Sequence, residues 1–185
     1  MFFRGLFHRS DDDETAHALY GAAVGQARRP EFYLDHGVPD TVDGRFDMIA
    51  LHAFLLMHRL KRGGTEALAE LSQRVFDVMF ADMDRNLREM GVSDLRVGSK
   101  VKQMVSAFLG RMRAYEAGME PGSPPEALED ALRRNLYRGV EASPAWVGAM
   151  AGYLRREASS LAAQSDDSAL AGGLSFGPPP SGDGP

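Results

Sequence analysis

Apolar residues recur at three- and four-residue steps along most of this chain, which is the spacing that gives a helix one buried face. The strongest pattern predicts a helix over about residues 65–90, a tight corner, and another helix over about residues 98–119. Gly91 follows the first of these helices, at a position where a left-handed residue commonly ends a helix. The first apolar stripe is Phe76, Met79, Phe80, Met83, Leu87 and Met90, and the second is Val97, Val101, Met104, Phe108, Met112, Tyr115 and Met119.

Four further helices are predicted from the same period and from residues that favour helix ends. Ser10 is the predicted cap of the first helix, and Asp43 is that of a central helix whose apolar residues extend almost all round it. Ser123 begins a capping box, and Ser143 precedes a proline in a similar start signal. Because no segment alternates apolar and polar residues at every second position, no sheet is predicted.

The composition changes at both ends of the chain. Residues 1–9 are apolar and basic, so they could rest weakly on a membrane surface, although folding back onto the core is the simpler interpretation. Residues 165–185 are rich in Gly, Pro, Ser and Asp and are predicted to be disordered, because they bury too little apolar surface to offset their ordering entropy. The predicted fold class is all-α: a single-domain bundle of about six helices over residues 10–164, with a disordered C-terminal tail.

The charge balance and residue usage exclude several classes of function. A net charge of −5 argues against DNA binding through a broadly basic surface. The absence of Cys excludes disulfides, thiolate metal sites and cysteine nucleophiles. No run reaches the roughly 18 apolar residues of a membrane span, and no targeting signal is recognisable, so we expect a cytoplasmic location.

The carboxylates give little support for catalysis or metal binding. Asp77, Asp82, Asp84 and Glu89 form an acidic cluster, but helix bundles that hold two metal ions need a Glu-x-x-His motif on each of two helices, and the sequence has a single one, Glu14 to His17, outside this cluster. Phosphate-binding loops and dinucleotide fingerprints are also missing, and the Gly-x-Ser-x-Gly match at residues 173–177 does not lie between a predicted strand and a predicted helix, as a nucleophile elbow does. We therefore predict no catalytic residue, no metal and no cofactor, and we interpret the acids as solvated or capping residues.

The histidines and the segment that begins at Gly98 are also interpreted as structural rather than functional residues. His52 and His58 lie six positions apart, which places them on different faces of one helix, so they cannot share a metal or a haem iron. His52 has apolar neighbours and is interpreted as a hydrogen-bonded core histidine. Gly98, Ser99 and Lys100 at a predicted helix start could hold one phosphate, although an exposed lysine is the simpler interpretation.

Several segments, taken in order, carry a family resemblance. The corner reads Asp-Met-Asp-Arg-Asn-Leu-Arg-Glu-Met-Gly-Val-Ser-Asp-Leu over residues 82–95, and Ala-Phe-Leu-Gly-Arg follows from Ala107. Upstream, Asp-Gly-Arg-Phe-Asp-Met-Ile-Ala-Leu-His begins at Asp43. Over roughly residues 10–155 the chain resembles the ubiquinol–cytochrome c chaperone family, whose members help to assemble the respiratory cytochrome bc1 complex by attending newly made cytochrome b.

The resemblance implies a non-enzymatic assembly chaperone that binds nascent or newly inserted cytochrome b. It also suggests the ribosome near its tunnel exit and the membrane surface as further partners. Without a mitochondrial import signal, the chain is similar to a bacterial member at the cytoplasmic face of the inner membrane. We expect the partner-binding surface at the corner, where an acidic helix end meets a basic helix start. The predicted partner-binding residues are Asp82, Asp84, Arg88, Glu89, Asp94, Lys100 and Lys102.

Two other functions stay open. The same bundle could form a lipid- or haem-binding protein or an enzyme, which a buried pocket with a strongly shifted acid or histidine would favour. It could also be a peripheral membrane adaptor led by residues 1–9. An open apolar surface beside the corner would favour the chaperone. Adaptable methionines could line such a surface, although most are expected in the core: Met79, Met83, Met90, Met104 and Met112.

Overall fold

The computed structural model describes residues 4–181, with side chains described from residue 13 onward. These residues form eight helices and no strand, and six of the helices have 11 residues or more. The predicted all-α bundle of about six helices is therefore confirmed. The helices are α1 (Arg4–Ala27), α2 (Glu31–Leu34), α3 (Val42–Arg62), α4 (Glu66–Glu89), α5 (Asp94–Met119), α6 (Pro125–Asn135), α7 (Pro144–Ala163) and α8 (Asp166–Leu170).

Helix α3 is the centre of the bundle and packs against α1, α4, α5 and α7. Its apolar residues cover most of its circumference, and Leu51, Leu55 and Leu56 are completely buried. Thr41 caps the helix by accepting a hydrogen bond from the backbone N–H of Gly44 at 3.1 Å. The predicted cap, Asp43, instead lies in the first turn, where its charge favours the positive end of the helix.

The corner between α4 and α5 is tighter than predicted. Gly91 has φ +81°, and the N–H of Val92 donates to the carbonyl of Leu87 at 3.0 Å, so the predicted glycine stop is confirmed. Helix α5 begins at Asp94 rather than near residue 98, because Ser93 serves as an extended N-cap. Gly98 and Ser99 consequently lie inside the helix, where their backbone donors are not available as a phosphate site.

Two other predicted helix starts are corrected. The backbone of α1 is helical from Arg4, so Ser10 is not its cap. The Ser123 hydroxyl donates to the carbonyl of Ala117 at 2.6 Å, which ties it to the end of α5. The predicted capping box of α6 therefore does not form. The Ser143 cap of α7 is confirmed, since its hydroxyl accepts from the N–H of Trp146 at 3.2 Å.

The C-terminal segment differs from the predicted disorder. Residues 166–170 form α8, and residues 171–181, which we call the strap, lie against the bundle. Leu174 is 3% exposed, and the Phe176 ring meets that of His52 edge to face at 5.1 Å. The N–H of Gly177 donates to the Glu157 carboxylate at 2.7 Å. These contacts order residues 166–181, while residues 182–185 lie outside the described range.

The predicted N-terminal membrane segment falls mostly outside what the structure describes. Residues 1–3 are not described, and for residues 4–9 only the helical backbone is. Within residues 4–181, every helix is too short or too polar to cross a membrane. Membrane contact by residues 1–9 stays a prediction.

Candidate partner-binding groove

An open groove of about 710 Å³ lies between the start of α3, the end of α4 and the first half of α5. Each helix turns apolar side chains into it, because each carries an apolar stripe wider than its neighbours cover. Val42 and Met90 are apolar residues, yet they are 69% and 58% exposed to solvent. The apolar lining residues are Val42, Phe46, Ile49, Met83, Leu87, Met90, Met104 and Ala107.

The predicted methionine surface divides between this groove and the core. Met83, Met90 and Met104 line the groove. Met79 is completely buried and Met112 is 7% exposed, so these two belong to the core. Unbranched methionine side chains adapt to apolar partners of different shape. Three of them along one groove provide a surface that can accommodate varied apolar segments.

Charged side chains surround the apolar centre of the groove. Glu89 and Lys100 line it from α4 and α5, and both belong to the predicted partner-binding set. Asp43 and Arg45 approach from α3, and Arg138 from the segment after α6. An exposed apolar surface bordered by charge is typical of protein interaction sites.

Three of the predicted partner-binding residues form one ion-pair network at the corner. Arg88 pairs with Asp84 at 2.6 Å on its own helix and also with Asp94 at the start of α5. This network joins the end of α4 to the start of α5. Because all three residues are at least one-third exposed, its contribution to stability is small and its main effect is to orient the corner.

The remaining two predicted residues lie elsewhere. Asp82 faces α1, where it accepts hydrogen bonds from the Tyr20 hydroxyl at 2.9 Å and from Asn86 at 3.2 Å. Lys102 is exposed on α5 and is not among the residues that line the groove. The structure therefore brings Glu89 and Lys100 to the groove and leaves these two outside it.

A buried ion pair forms the floor of the groove, and sequence reasoning missed it. The guanidinium of Arg111 donates to the Asp47 carboxylate at 2.7 Å, and Arg138 donates to the other carboxylate oxygen at 3.1 Å. Arg111 also lies 5.8 Å from the centre of the Phe46 ring. Burial raises the pKa of Asp47, while Arg111 and Arg138 oppose that rise. The pair fixes the groove wall of α3 against α5.

His52 lies on the opposite side of α3 and is sealed. Its Nδ1–H donates to the carbonyl of Met48 at 2.8 Å, and its Nε2 accepts from the Tyr153 hydroxyl at 2.8 Å. Gln26 donates to the same hydroxyl at 2.9 Å. Burial lowers the pKa of His52 to about 4, so the ring is neutral near pH 7. The prediction of a hydrogen-bonded core histidine is confirmed.

Within the described part of the chain, His, Asp and Glu side chains nowhere gather in threes that could hold a metal ion. His52 lines neither the groove nor the second pocket, described below. Both ring nitrogens of His52 are thus used in hydrogen bonds inside the core.

A sequence model of the family described as "Ubiquinol-cytochrome C chaperone" matches residues 34–176. The chain is 24% identical over 151 residues to ubiquinol-cytochrome c reductase complex assembly factor 1 of Drosophila melanogaster, covering 80% of this chain and 58% of that protein. It is 24% identical over 161 residues to the Homo sapiens protein of the same name, covering 86% and 53%. The chain spans roughly half to two-thirds of the length of these curated relatives.

A solved structure agrees over nearly the whole fold. The crystal structure of the Cbp3 homolog from Brucella abortus superposes with a TM-score of 0.85 at 33% sequence identity. The match covers 99% of this chain and 100% of the other. The bundle, including its C-terminal segment, therefore has a counterpart of the same architecture.

Proposed function

Since the chain belongs to the ubiquinol–cytochrome c chaperone family, we propose that it is a non-enzymatic assembly chaperone that binds newly made cytochrome b during biogenesis of the cytochrome bc1 complex. The observation that carries the proposal is the groove, where Val42 and Met90 stay exposed beside a ring of charges. A membrane protein awaiting assembly has apolar segments that need such a surface.

The proposed mechanism is temporary covering of apolar client surface. Apolar contacts along the groove lower the free energy of the complex without any covalent step. Glu89 and Lys100 at its edge fix the orientation of the client and disfavour partners with the wrong charge pattern. The network of Asp84, Arg88 and Asp94 keeps the corner in one arrangement, so the client meets a preformed groove.

The competing proposal, an enzyme or a lipid- or haem-binding protein with a reactive cavity, finds less support. The strongly shifted histidine is sealed by Tyr153 and Phe176 rather than presented to a ligand. The buried carboxylate of Asp47 is held by two arginines. We further propose that the chaperone works on the cytoplasmic side of the inner membrane, with the ribosome and the membrane surface as accessory partners.

A matched pair of substitutions tests the groove. In a strain that lacks the gene, plasmids would supply the wild type, Met90→Glu or Leu34→Glu. Both replaced residues are exposed, at 58% and 80%, but only Met90 lines the groove. Met90→Glu is expected to weaken client capture by about tenfold or more, since burying a carboxylate in an apolar contact is costly. Leu34→Glu should behave as the wild type.

The measurements are the amount of assembled cytochrome bc1 and the lifetime of cytochrome b, with other respiratory complexes as controls. We expect both quantities to fall in the deletion strain and in the Met90→Glu strain. Normal values in the deletion strain would end the assembly proposal. Normal values with Met90→Glu alone would retain the function but remove the groove from it.

A second pair separates the groove from the rest of the corner. Lys100 and Lys102 are both exposed on α5, and only Lys100 lines the groove. Lys100→Glu should reduce the cytochrome b that copurifies with the chaperone more than Lys102→Glu does. Circular dichroism should show unchanged helicity for both variants. Equal loss in the two would assign recognition to the whole corner instead.

A further inference from the structure

A second pocket lies at the end of the bundle away from the start of α3. It occupies about 510 Å³ between the C-terminal ends of α3 and α5, one side of α7 and the start of α8. Apolar atoms form one part of its wall, and cationic side chains form another. The residues that matter here are His58, Arg59, Arg62, Met119, Arg155, Ala158, Ser159 and Asp166.

The polar groups face each other from two helices. His58 and Arg62 are four residues apart on α3, so they share one face of that helix, and Arg155 and Ser159 are placed in the same way on α7. Both arginines are exposed. Arg62 makes no ion pair within residues 13–181, and Arg155 donates one hydrogen bond, to the carbonyl of Pro125 at 3.2 Å. Both guanidinium groups therefore retain free donors.

Donors of the third arginine of the pocket are already occupied by partners within the chain. Arg59 is buried and donates to the carbonyls of Leu161 at 2.8 Å and Gln164 at 2.6 Å, at the C-terminal end of α7. It also pairs with Asp166 at 2.7 Å, which neutralises the acidic residue of the lining. The positive charges of Arg62 and Arg155 are left without a compensating lining residue.

The side chain of His58 belongs to the same wall. Its Nδ1 is buried and has no hydrogen-bond partner within the described residues, the nearest carboxylate being that of Glu116 at 3.8 Å. Burial lowers the pKa of His58, and the charge of Arg62 lowers it further. The ring is therefore neutral near pH 7 and lies in the wall of the pocket, where its signals can report on a bound ligand.

We propose that this pocket binds a phosphate group, held between Arg62 and Arg155 and assisted by the hydroxyl of Ser159. Planar guanidinium groups present forked donors that match phosphate oxygens. Met119 and Ala158 provide adjacent apolar surface for the carbon skeleton that carries the phosphate. The phosphate belongs either to an anionic phospholipid headgroup or to a free phosphate compound. This activity goes beyond client capture and does not depend on it.

Inorganic phosphate at constant ionic strength is the first probe. The His58 ring and Ser159 amide signals would be followed by nuclear magnetic resonance in the full chain. The wild type should show a saturable shift of both signals. The double variant Arg62→Gln/Arg155→Gln should bind about tenfold more weakly or worse, because each lost contact is charge-assisted. Arg113→Gln, an exposed residue of α5 outside both pockets, is the matched control and should bind as the wild type.

A second variant protects the test against misfolding. Ser159→Asp places a carboxylate in the pocket and leaves both arginines intact, so it should abolish phosphate binding by charge repulsion while the melting temperature stays unchanged. Absence of a saturable shift in the wild type would overturn the proposal. Wild-type affinity in the double variant or in Ser159→Asp would do the same.

Vesicles identify the source of the phosphate. The chain would be sedimented with phosphatidylcholine vesicles, with and without phosphatidic acid. Sedimentation that needs phosphatidic acid and is lost in the double variant, but kept with Arg113→Gln, assigns the site to a lipid headgroup. Binding of inorganic phosphate without such sedimentation assigns it to a free phosphate compound.

Discussion

Helix α3 separates two regions that both contain a hydrogen-bonded buried polar side chain but differ in how far the surface above it is covered. On one side Asp47 lies under the groove, and above it Val42 and Met90 are left uncovered. On the other side His52 lies under the strap, and every ring nitrogen has a partner. The two residues are five positions apart on the same helix. What distinguishes the open groove from the sealed side of α3 is whether a later segment of the chain covers it.

On the sealed side of α3 the strap helps to bury even a charged side chain. Glu157 is completely buried, and its carboxylate accepts from the backbone N–H of Gly177 at 2.7 Å and from Arg156 at 3.1 Å. A Cβ atom at position 177 would lie only 2.9 Å from Oε1 of that carboxylate, so glycine permits this close approach. The groove has no corresponding segment within residues 4–181.

The largest effect on stability is expected from breaking the floor of the open region. Arg111→Leu leaves the buried Asp47 carboxylate with Arg138 as its remaining ionic partner, and Arg138 is half exposed. The free energy of unfolding should fall by about 3–5 kcal/mol. Urea unfolding followed by circular dichroism would measure it.

The control for this substitution is Arg45→Leu. Arg45 pairs with Asp40 at 2.6 Å on the surface, and both side chains are more than half exposed. Its loss should leave the unfolding curve unchanged. If Arg111→Leu behaved in the same way, the floor of the groove would have to be hydrated, and the contrast with the sealed side would disappear.

A pH shift should weaken the sealed region. The pKa of His52 is about 4 in the folded chain, against 6.5 for an unperturbed histidine. As the pH falls from 6.5 towards 4, the unfolded chain takes up a proton that the folded chain does not, so stability decreases. Between pH 7 and pH 5 this one group should remove about 2 kcal/mol from the free energy of unfolding.

The comparison with His52→Gln isolates that contribution. Both chains would be unfolded in urea at pH 7 and at pH 5, and the loss of stability on acidification compared. The variant should lose about 2 kcal/mol less than the wild type. Identical losses would show that His52 takes up its proton in the folded state, which the sealed arrangement forbids.

The smallest effect concerns a single hydroxyl in the sealed region. Tyr153→Phe removes the donor to Nε2 of His52 and one acceptor of Gln26, but Gln26 still donates to the carbonyl of Gly177 at 2.8 Å. We expect a loss of about 1–2 kcal/mol in the free energy of unfolding. Amide hydrogen exchange along the strap should become faster in the same variant. Unchanged exchange would mean that the strap does not depend on this hydrogen-bond chain.

The sequence predicted helices well where local signals decide the outcome. Gly91 ends α4 because a left-handed turn is a local property, and Ser143 caps α7 for the same reason. Ser123 failed as a cap because its hydroxyl found a partner at the end of α5. The strap was missed because its order comes from Phe176 and Gly177 contacting α3 and α7, which composition does not reveal.

Only the wall of the groove that α4 and α5 form could be predicted from the sequence. The methionine stripe, Glu89 and Lys100 could be assigned to the corner because they belong to two consecutive helices. The wall formed by Val42 and the ion pair of Asp47 with Arg111 joins residues that are 64 positions apart. No periodicity within one helix specifies which side chain of another helix it meets, so that wall required the structure.

The strap also has a consequence for the timing of folding. It is translated after every residue that it covers, and Gly177 meets Gln26 across 151 positions of the chain. No described residue beyond Arg138 lines the groove. During synthesis all residues that line the groove therefore emerge before the strap does, and the long-range contacts that the strap makes are of the kind that slows folding.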